Sequence, residues 1–328
     1  MKKILMVGGA GYVGSRLIDD LISRNLISGI YDITVVDCLW FGNYLPDHIK
    51  VINKNAINLE PEDVKGFDCV IFLGGLSNDP MADFSPQQNF IENTSLPLYL
   101  AYISKKVGVK RFIYASSCSI YGFTSNRSVT ESTNPSPQYP YGISKLLGET
   151  AVMSLEDDNF RPISLRQGTI GGWSPRMRFD LVVNTMTKSA LSEGKITVNN
   201  PNLWRPLVDI RDIVNAYKKS MEAPLELTGI FNISGKNYTI GRLGKEIHKY
   251  LVSKGYEVDL EISNKEDVRN YKVSTRKAEV ELGVSSKYTP IDSVKDIFDN
   301  MDLSKCDLNE VKYYNVRVFK GLHEKFEL

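Results

Sequence analysis

Long apolar runs are missing from this 328-residue chain. The opening "MKKILMVGGAG" has about five apolar residues before glycines interrupt it, too few for a signal-peptide core or a membrane span. Its expected place is a buried strand, in a protein with no membrane partner. An excess of either charge is missing too. Forty Lys and Arg against 39 Asp and Glu leave a formal charge of +1, and no basic run tracks a phosphate backbone, which argues against nucleic acid. Cysteine is scarce: Cys38, Cys69, Cys118 and Cys306 show no CxxC spacing, which argues against a disulfide framework and a zinc site and points to the reducing cytoplasm. Histidine is scarcer. His48, His248 and His323 stand in polar, helix-like or terminal surroundings, and no Gly-x-Ser-x-Gly elbow accompanies them, so a serine hydrolase is not supported. Without clustered ligands, a metal site is not expected either.

What the chain does have is alternation. "KILMV", "DITVVD", "KVIN", "DCVIFL", "KRFIYAS" and "PISLRQ" are short β-rich runs separated by helix-like stretches or loops, the pattern of a parallel sheet covered by helices on both faces. From about Ser174 the rhythm loosens. "NPNLWRPLVD", "TGIFNISG" and "YEVDLEISN" then sit between helical candidates such as "TIGRLGKEIHKYLVSKG", as in a smaller α/β lobe. No repeat, low-complexity tract or linker interrupts the chain.

"VGGAGYVG" follows the first strand, with Gly8, Gly11 and Gly14 spaced three apart. Glycine is wanted where a strand turns sharply into a helix and where backbone must approach a pyrophosphate seated on the helix N-terminal N–H groups. The second strand ends at Asp37, where a carboxylate can accept hydrogen bonds from adenosine ribose hydroxyls and would repel a 2′-phosphate. "CLWFGN" beyond it contains no Arg or Lys, so NAD is expected rather than NADP.

"YPYGISKLLGETAVM" begins with Pro140, suited to a helix's first turn, and places Tyr141 and Lys145 four apart on one helical face. An ordinary tyrosine, with a pKa of about 10, is only about 0.1% ionised at neutral pH, so a nearby ammonium matters. The order of parts is a glycine turn, an Asp after the second strand, the serine-rich "YASSCSIYGF", then Tyr-x-x-x-Lys. This order resembles the extended short-chain dehydrogenase/reductase family, in its NAD-dependent nucleotide-sugar epimerase and dehydratase branch. "VIFLGGLS", "WRPLVDIRDIV", "GIFNISG" and "RNYKVSTRKAEVELG" add to the resemblance, which covers nearly the whole chain.

The resemblance implies a Rossmann-type doubly wound parallel sheet over residues 1–172 and a substrate lobe over 173–328, with 205–235 packing back on the first domain. It implies a cofactor site of Gly8, Gly11, Tyr12, Val13, Gly14, Asp37, Asn55, Ala56, Leu73, Gly74, Gly75 and Asn93, together with Tyr141 and Lys145. Counting back four residues from Tyr121 places the catalytic serine at Ser117. Ser117 would then hold the sugar hydroxyl, Tyr141 would take its proton, and Lys145 would hold the nicotinamide ribose while tuning Tyr141. Substrate contacts fall on Ser77, Ser117, Thr169, Arg178, Asn184, Arg205 and Arg269. Arg176 could belong to the same group or be a surface residue. Arginine suits diphosphate because its planar fork binds two oxygens at once.

Water-eliminating relatives carry Asp and Glu after the catalytic serine, where this chain has Cys118 and Ser119, so a 4,6-dehydratase is disfavoured. Strand alternation turns Cys118 away from Ser117, which makes it packing. Ser119 would be a minor polar contact. The implied activity is a sugar-nucleotide 4-epimerase or 4-dehydrogenase of bacterial-type surface polysaccharide synthesis. A GDP-heptose 4-dehydrogenase is an alternative, suggested by "SPRMRFDLVVN", and a non-catalytic NAD-binding regulator is a further one. A homodimer formed by helices near 88–106 and 141–155 is also implied.

Overall fold

The computed structural model describes residues 1–27, 29–263 and 270–326. Seven parallel strands make the central sheet: β1 (Lys2–Val7), β2 (Tyr31–Asp37), β3 (Lys50–Asn53), β4 (Cys69–Phe72), β5 (Arg111–Ser117), β6 (Arg161–Gln167) and β7 (Gly229–Ile233). Their spatial order is β7-β6-β5-β4-β1-β2-β3. After β3 the chain crosses back to the other side of β1, so a crevice opens between β1 and β4 at the carboxyl ends of the strands. This is the Rossmann-type arrangement that the resemblance implies, built on the parallel sheet that the alternation predicts.

Helices cover both faces of the sheet. On one face, α1 (Tyr12–Ser23) and α5 (Ile210–Glu222) bury Leu17, Ile18, Leu21, Ile213, Val214 and Tyr217 against the strands. On the other, α2 (Leu96–Lys106) and α3 (Pro140–Met153) bury Leu100, Ala101, Ile103 and Val152. A sheet covered on both sides needs strands without polar alternation. β5 meets this by burying every residue from Arg111 to Ser117.

"GIFNISG" lies within the 205–235 stretch expected to pack back on the first domain. Its strand is β7, which pairs in parallel with β6 and completes the central sheet. Local apolar content is the same for either placement, so only the long-range pairing distinguishes them. The 86–106 stretch contains α2 but is not one regular helix: Pro86–Phe90 passes through a π-helical turn, Ile91–Ser95, before α2 begins.

The second lobe contains α4 (Val182–Glu193), α6 (Ile240–Ser253) and α7 (Pro290–Asn300). They pack on the parallel pair Lys195–Asn199 and Asp259–Ser263 around a core that includes Val183, Val198, Leu243, Ile247 and Val294. Thr239 caps α6 by accepting a bond from the Arg242 N–H, which starts the helix in "TIGRLGKEIHKYLVSKG" at Ile240. The last helix, α8 (Asn315–Phe326), returns across the crevice and inserts Phe319 beside Leu76 and Met81, with Trp40 packed against them.

Candidate active site

The carboxyl ends of β1, β4, β5 and β6 form one wall of a cleft of about 660 Å³, and α4, Arg205, Tyr271 and the start of α8 close it from the other side. Gly8, Gly11, Tyr12, Val13, Gly14, Asp37, Asn55, Ala56, Leu73, Gly74 and Gly75 line it at one end. Ser117, Tyr141 and Lys145 lie along it, and Ser77, Thr169, Arg178 and Arg205 line it as well.

The glycine turn has the shape a dinucleotide needs. Gly8 adopts φ +79°, and a β-carbon there would lie 2.5 Å from the Gly74 backbone nitrogen. At Gly14 the same addition would meet the Gly9 carbonyl oxygen at 2.3 Å. Gly11 begins α1 without any side-chain cap, so first-turn N–H groups of this twelve-residue helix are left for an incoming anion. At the strand end, the Asp37 carboxylate accepts from the backbone N–H of Ala10 at 3.0 Å and of Leu39 at 2.8 Å. Burial raises its pKa, partly offset by those two bonds and by the Arg176 cation. The residues present therefore fit NAD: an open helix N-terminus for the diphosphate and a held carboxylate for the ribose.

Two residues assigned to binding lie elsewhere. Asn93 is fully buried behind the wall, where its amide donates to the Leu76 carbonyl at 2.9 Å and to Asn89 Oδ1 at 2.8 Å. It shapes the 74–76 turn and does not line the cleft, because the π-helical turn carries it under the strand ends. Asn184 is also fully buried: Oδ1 accepts from the Gly172 N–H, and Nδ2 donates to the Arg178 and Gly172 carbonyls and to the Tyr12 hydroxyl. Its amide is spent holding the loop that carries Arg178. Arg269 lies outside the described residues.

Ser117 ends β5, and its hydroxyl accepts from the Ser119 N–H at 3.1 Å. The Ser117 hydroxyl and the Tyr141 phenol both face the cleft. Burial pushes Tyr141 up to about 12, although the Ser117 hydroxyl pulls the other way. Lys145 is buried, and desolvation pushes it down to about 7. Its ammonium donates to the Ala115 carbonyl at 3.0 Å and stands 6.0 Å from the Tyr141 ring centre. Four-residue spacing does put both side chains on one face, yet the ammonium satisfies its hydrogen-bonding need on the strand and does not touch the phenol.

Cys118 is fully buried, for a reason other than strand alternation. The strand has ended, and Cys118 opens a single 3₁₀ turn, Cys118–Tyr121, that drives its thiol into a cluster with Tyr121, Val129 and Tyr271. Burial raises the thiol's pKa, and Sγ donates to the Arg166 carbonyl at 3.1 Å. Ser119 comes back to the cleft lining.

Other lining residues carry no local signal in the sequence. Gln167 donates to the Tyr217 hydroxyl at 2.9 Å while its Oε1 has no partner, and the buried Ser116 hydroxyl has none either. Glu92 is pushed up to about 6 by burial, although a hydrogen bond with Gln88 pulls the other way. Asp180 binds Arg178 Nε at 2.8 Å and accepts from the Asn315 backbone N–H at 3.1 Å. "MRFD" displays that arginine and acid two apart, a pairing that could have been suspected. Asn315 comes from the far end of the chain and could not.

The sequence model of the NAD dependent epimerase/dehydratase family matches residues 4–234. A UDP-glucose 4-epimerase of Streptococcus mutans is 28% identical over 181 residues, 52% of this chain and 53% of that protein. A UDP-arabinose 4-epimerase of Arabidopsis thaliana is 24% identical over 72% of this chain and 64% of its own length. The chain thus spans between half and two thirds of these two relatives. Among solved structures, the UDP-glucuronic acid 4-epimerase of Bacillus cereus, in complex with UDP-glucuronic acid and NAD, superposes with a TM-score of 0.78. That match is 23% identical and covers 90% of this chain and 98% of that one, a likeness of fold. No helix among the described residues is long and apolar enough to cross a membrane.

Proposed function

The chain belongs to the NAD dependent epimerase/dehydratase family, and on that premise we propose that it is an enzyme that inverts or oxidises C4 of a nucleotide-diphosphate sugar. One observation carries the reading: Ser117, Tyr141 and Lys145 face the same cleft as the uncapped glycine turn and Asp37.

Gly11 and the first turn of α1 would hold the NAD diphosphate, and Asp37 the adenosine ribose. NAD, when bound, supplies the group that accepts and returns a hydride. Ser117 holds the sugar's C4 hydroxyl, and Tyr141 takes the hydroxyl proton as the hydrogen on that carbon departs. With its phenol near 12, Tyr141 needs a positive charge brought close before it serves as a base at neutral pH. Lys145, held by Ala115, binds the nicotinamide ribose and contributes part of that charge. The cleft places no carboxylate where Cys118 and Ser119 stand, which favours C4 chemistry without loss of water.

Arg205 lies at the opposite wall as a phosphate-binding side chain. Leu98, Tyr102 and Leu147 are exposed on α2 and α3, an apolar surface suited to pairing with a second copy. A surface polysaccharide pathway and a cytoplasmic location complete the proposal; the four free cysteines suit a reducing compartment.

The test is incubation with UDP, dTDP, GDP and CDP sugars, following bound NADH and product stereochemistry together. Interconversion of C4 epimers without net redox marks an epimerase, and accumulating NADH marks a dehydrogenase. Neither change with any sugar, in a protein that binds NAD, would overturn the reading.

A further inference from the structure

Arg176 stood at the substrate end in the reading from sequence, and the fold moves it. Its backbone N–H donates to the Ser15 hydroxyl at 3.3 Å, which sets it against the first turns of α1. Its guanidinium lies 4.0 Å from the Phe41 ring centre, in the loop that follows Asp37, and Nη2 donates to Asn315 Oδ1 at 2.5 Å at the start of α8. The side chain is buried, with 2% of the residue exposed, and Nε has no hydrogen-bond partner.

Arg178 is buried beside it, and its Nη2 is likewise unpartnered. Both line the cleft, Arg176 close enough to Asp37 to lower its carboxyl and Arg178 close enough to Tyr141 to lower its phenol and 6.0 Å from the Tyr12 ring centre. A dinucleotide reaching from Asp37 to Tyr141 has its ribose at the first and its nicotinamide at the second, so its diphosphate lies between them, in the span that the two arginines and the first turn of α1 share.

A buried guanidinium with a free N–H, on a residue whose backbone rests on the first turns of an uncapped helix and which lines the same cleft, is an incomplete anion site. We infer that Arg176 is a cofactor-binding residue that clamps the dinucleotide diphosphate against the N-terminus of α1, steered by Asn315 of the returning C-terminal helix. The inference rests on the proposed NAD-dependent function. Burial and the neighbouring Arg178 push Arg176 down to about 9, the direction that a nearby anion would reverse. Arg176 also borders a smaller cavity with Tyr44 and Trp173. Phe41 and Asn315, the partners of its guanidinium, line the main cleft and not the smaller one.

Calorimetric titration of the full chain with NAD, NADP and UDP, together with melting temperatures without ligand, tests the clamp. Arg176→Met should weaken NAD binding about ten- to hundredfold, the range of one charge-assisted phosphate contact. UDP binding should stay unchanged, and the ligand-free melting temperature should hold or rise, because an uncompensated buried charge has been removed. If Arg176→Met does not fold, Arg176→Gln, which retains a donor toward Asn315, should show the same NAD loss.

Unchanged NAD affinity in a folded variant overturns the inference. So does a loss confined to NADP, which would make Arg176 a 2′-phosphate receptor, or a loss of UDP binding in place of NAD. A lowered ligand-free melting temperature with normal NAD affinity would make the arginine structural. Failure of the unmodified protein to bind NAD at all would sink the functional reading itself, a result distinct from these.

Discussion

Arg166 and Arg176 lie ten residues apart, both buried, in opposite electrostatic settings. Arg166 sits behind the catalytic strand end. Its Nη2 meets Glu149 Oε1 at 2.6 Å, its Nε bonds to the same carboxylate at 3.1 Å, and its Nη1 donates to the Tyr121 hydroxyl at 2.7 Å. Those partners hold its pKa above the ordinary value despite burial. Arg211 is held alike by Asp209, at 2.8 Å and 2.9 Å. On the cleft side, Lys145 has a single backbone acceptor and Arg176 keeps a free Nε, and burial lowers the pKa of both. Among these four, the cations with a carboxylate inside the protein are held as scaffold, and the two left short of negative charge face the cleft, where a ligand can bring it.

The sharpest way to break this contrast is Lys145→Met. Turnover should fall by about 10²- to 10⁴-fold, the range of positioned acid–base groups. Unfolding without cofactor at pH 7 should show no loss of stability. A large loss would place Lys145 with the scaffold cations.

Glu149→Ala makes the opposite case. It strands Arg166 without a counter-charge, and urea unfolding should show a loss of about 3–5 kcal/mol. A loss below about 1 kcal/mol, the range of exposed pairs, would erase the distinction.

Arg205 also lines the cleft. Arg205→Ala should weaken UDP binding by about ten- to hundredfold, measured by calorimetry, while NAD affinity stays as it was. Loss of both together would indicate a collapsed cleft.

The same contrast predicts a pH dependence. Lys145 falls from its ordinary 10.5 to about 7 in the folded cleft, so above pH 7 the unfolded chain binds the extra proton and folding becomes more favourable as pH rises. Below pH 7 both states carry the proton, and this contribution is flat. Tyr141, raised from 10.0 to about 12, acts in the other direction only above about pH 10. Ligand-free stability should therefore gain a component between pH 7 and about 10 that Lys145→Met abolishes. An identical pH profile in the variant would count against the buried ammonium.

Cys118→Ala should do least. Its thiol packs in the scaffold cluster and donates to the Arg166 carbonyl, so stability should drop by about 1 kcal/mol and turnover at saturating substrate stay within a few-fold. A variant as inactive as Tyr141→Phe would bring the thiol into the chemistry.

Much of the fold was legible because its signals are local. The apolar run of β1, the glycines behind it, the Pro140 start of α3 and the Thr239 cap of α6 each act within a few residues. By the same short-range logic, the sequence by itself determined that Tyr141 and Lys145 share a helical face and that Asp37 closes the second strand. Other features depended on segments far apart in the chain. Whether "GIFNISG" joined the main sheet turned on pairing with β6 across more than sixty residues. The burial of Asn93 and Asn184 off the cleft lining was not legible because an asparagine looks the same in sequence whether its amide faces a ligand or a buried carbonyl. Only the tertiary structure decided which cations keep free donors, since Phe41, Arg176 and Asn315 meet through packing and not through proximity in sequence. Burial then fixes the cost of each unpaired charge, and that cost is a property of the assembled cleft.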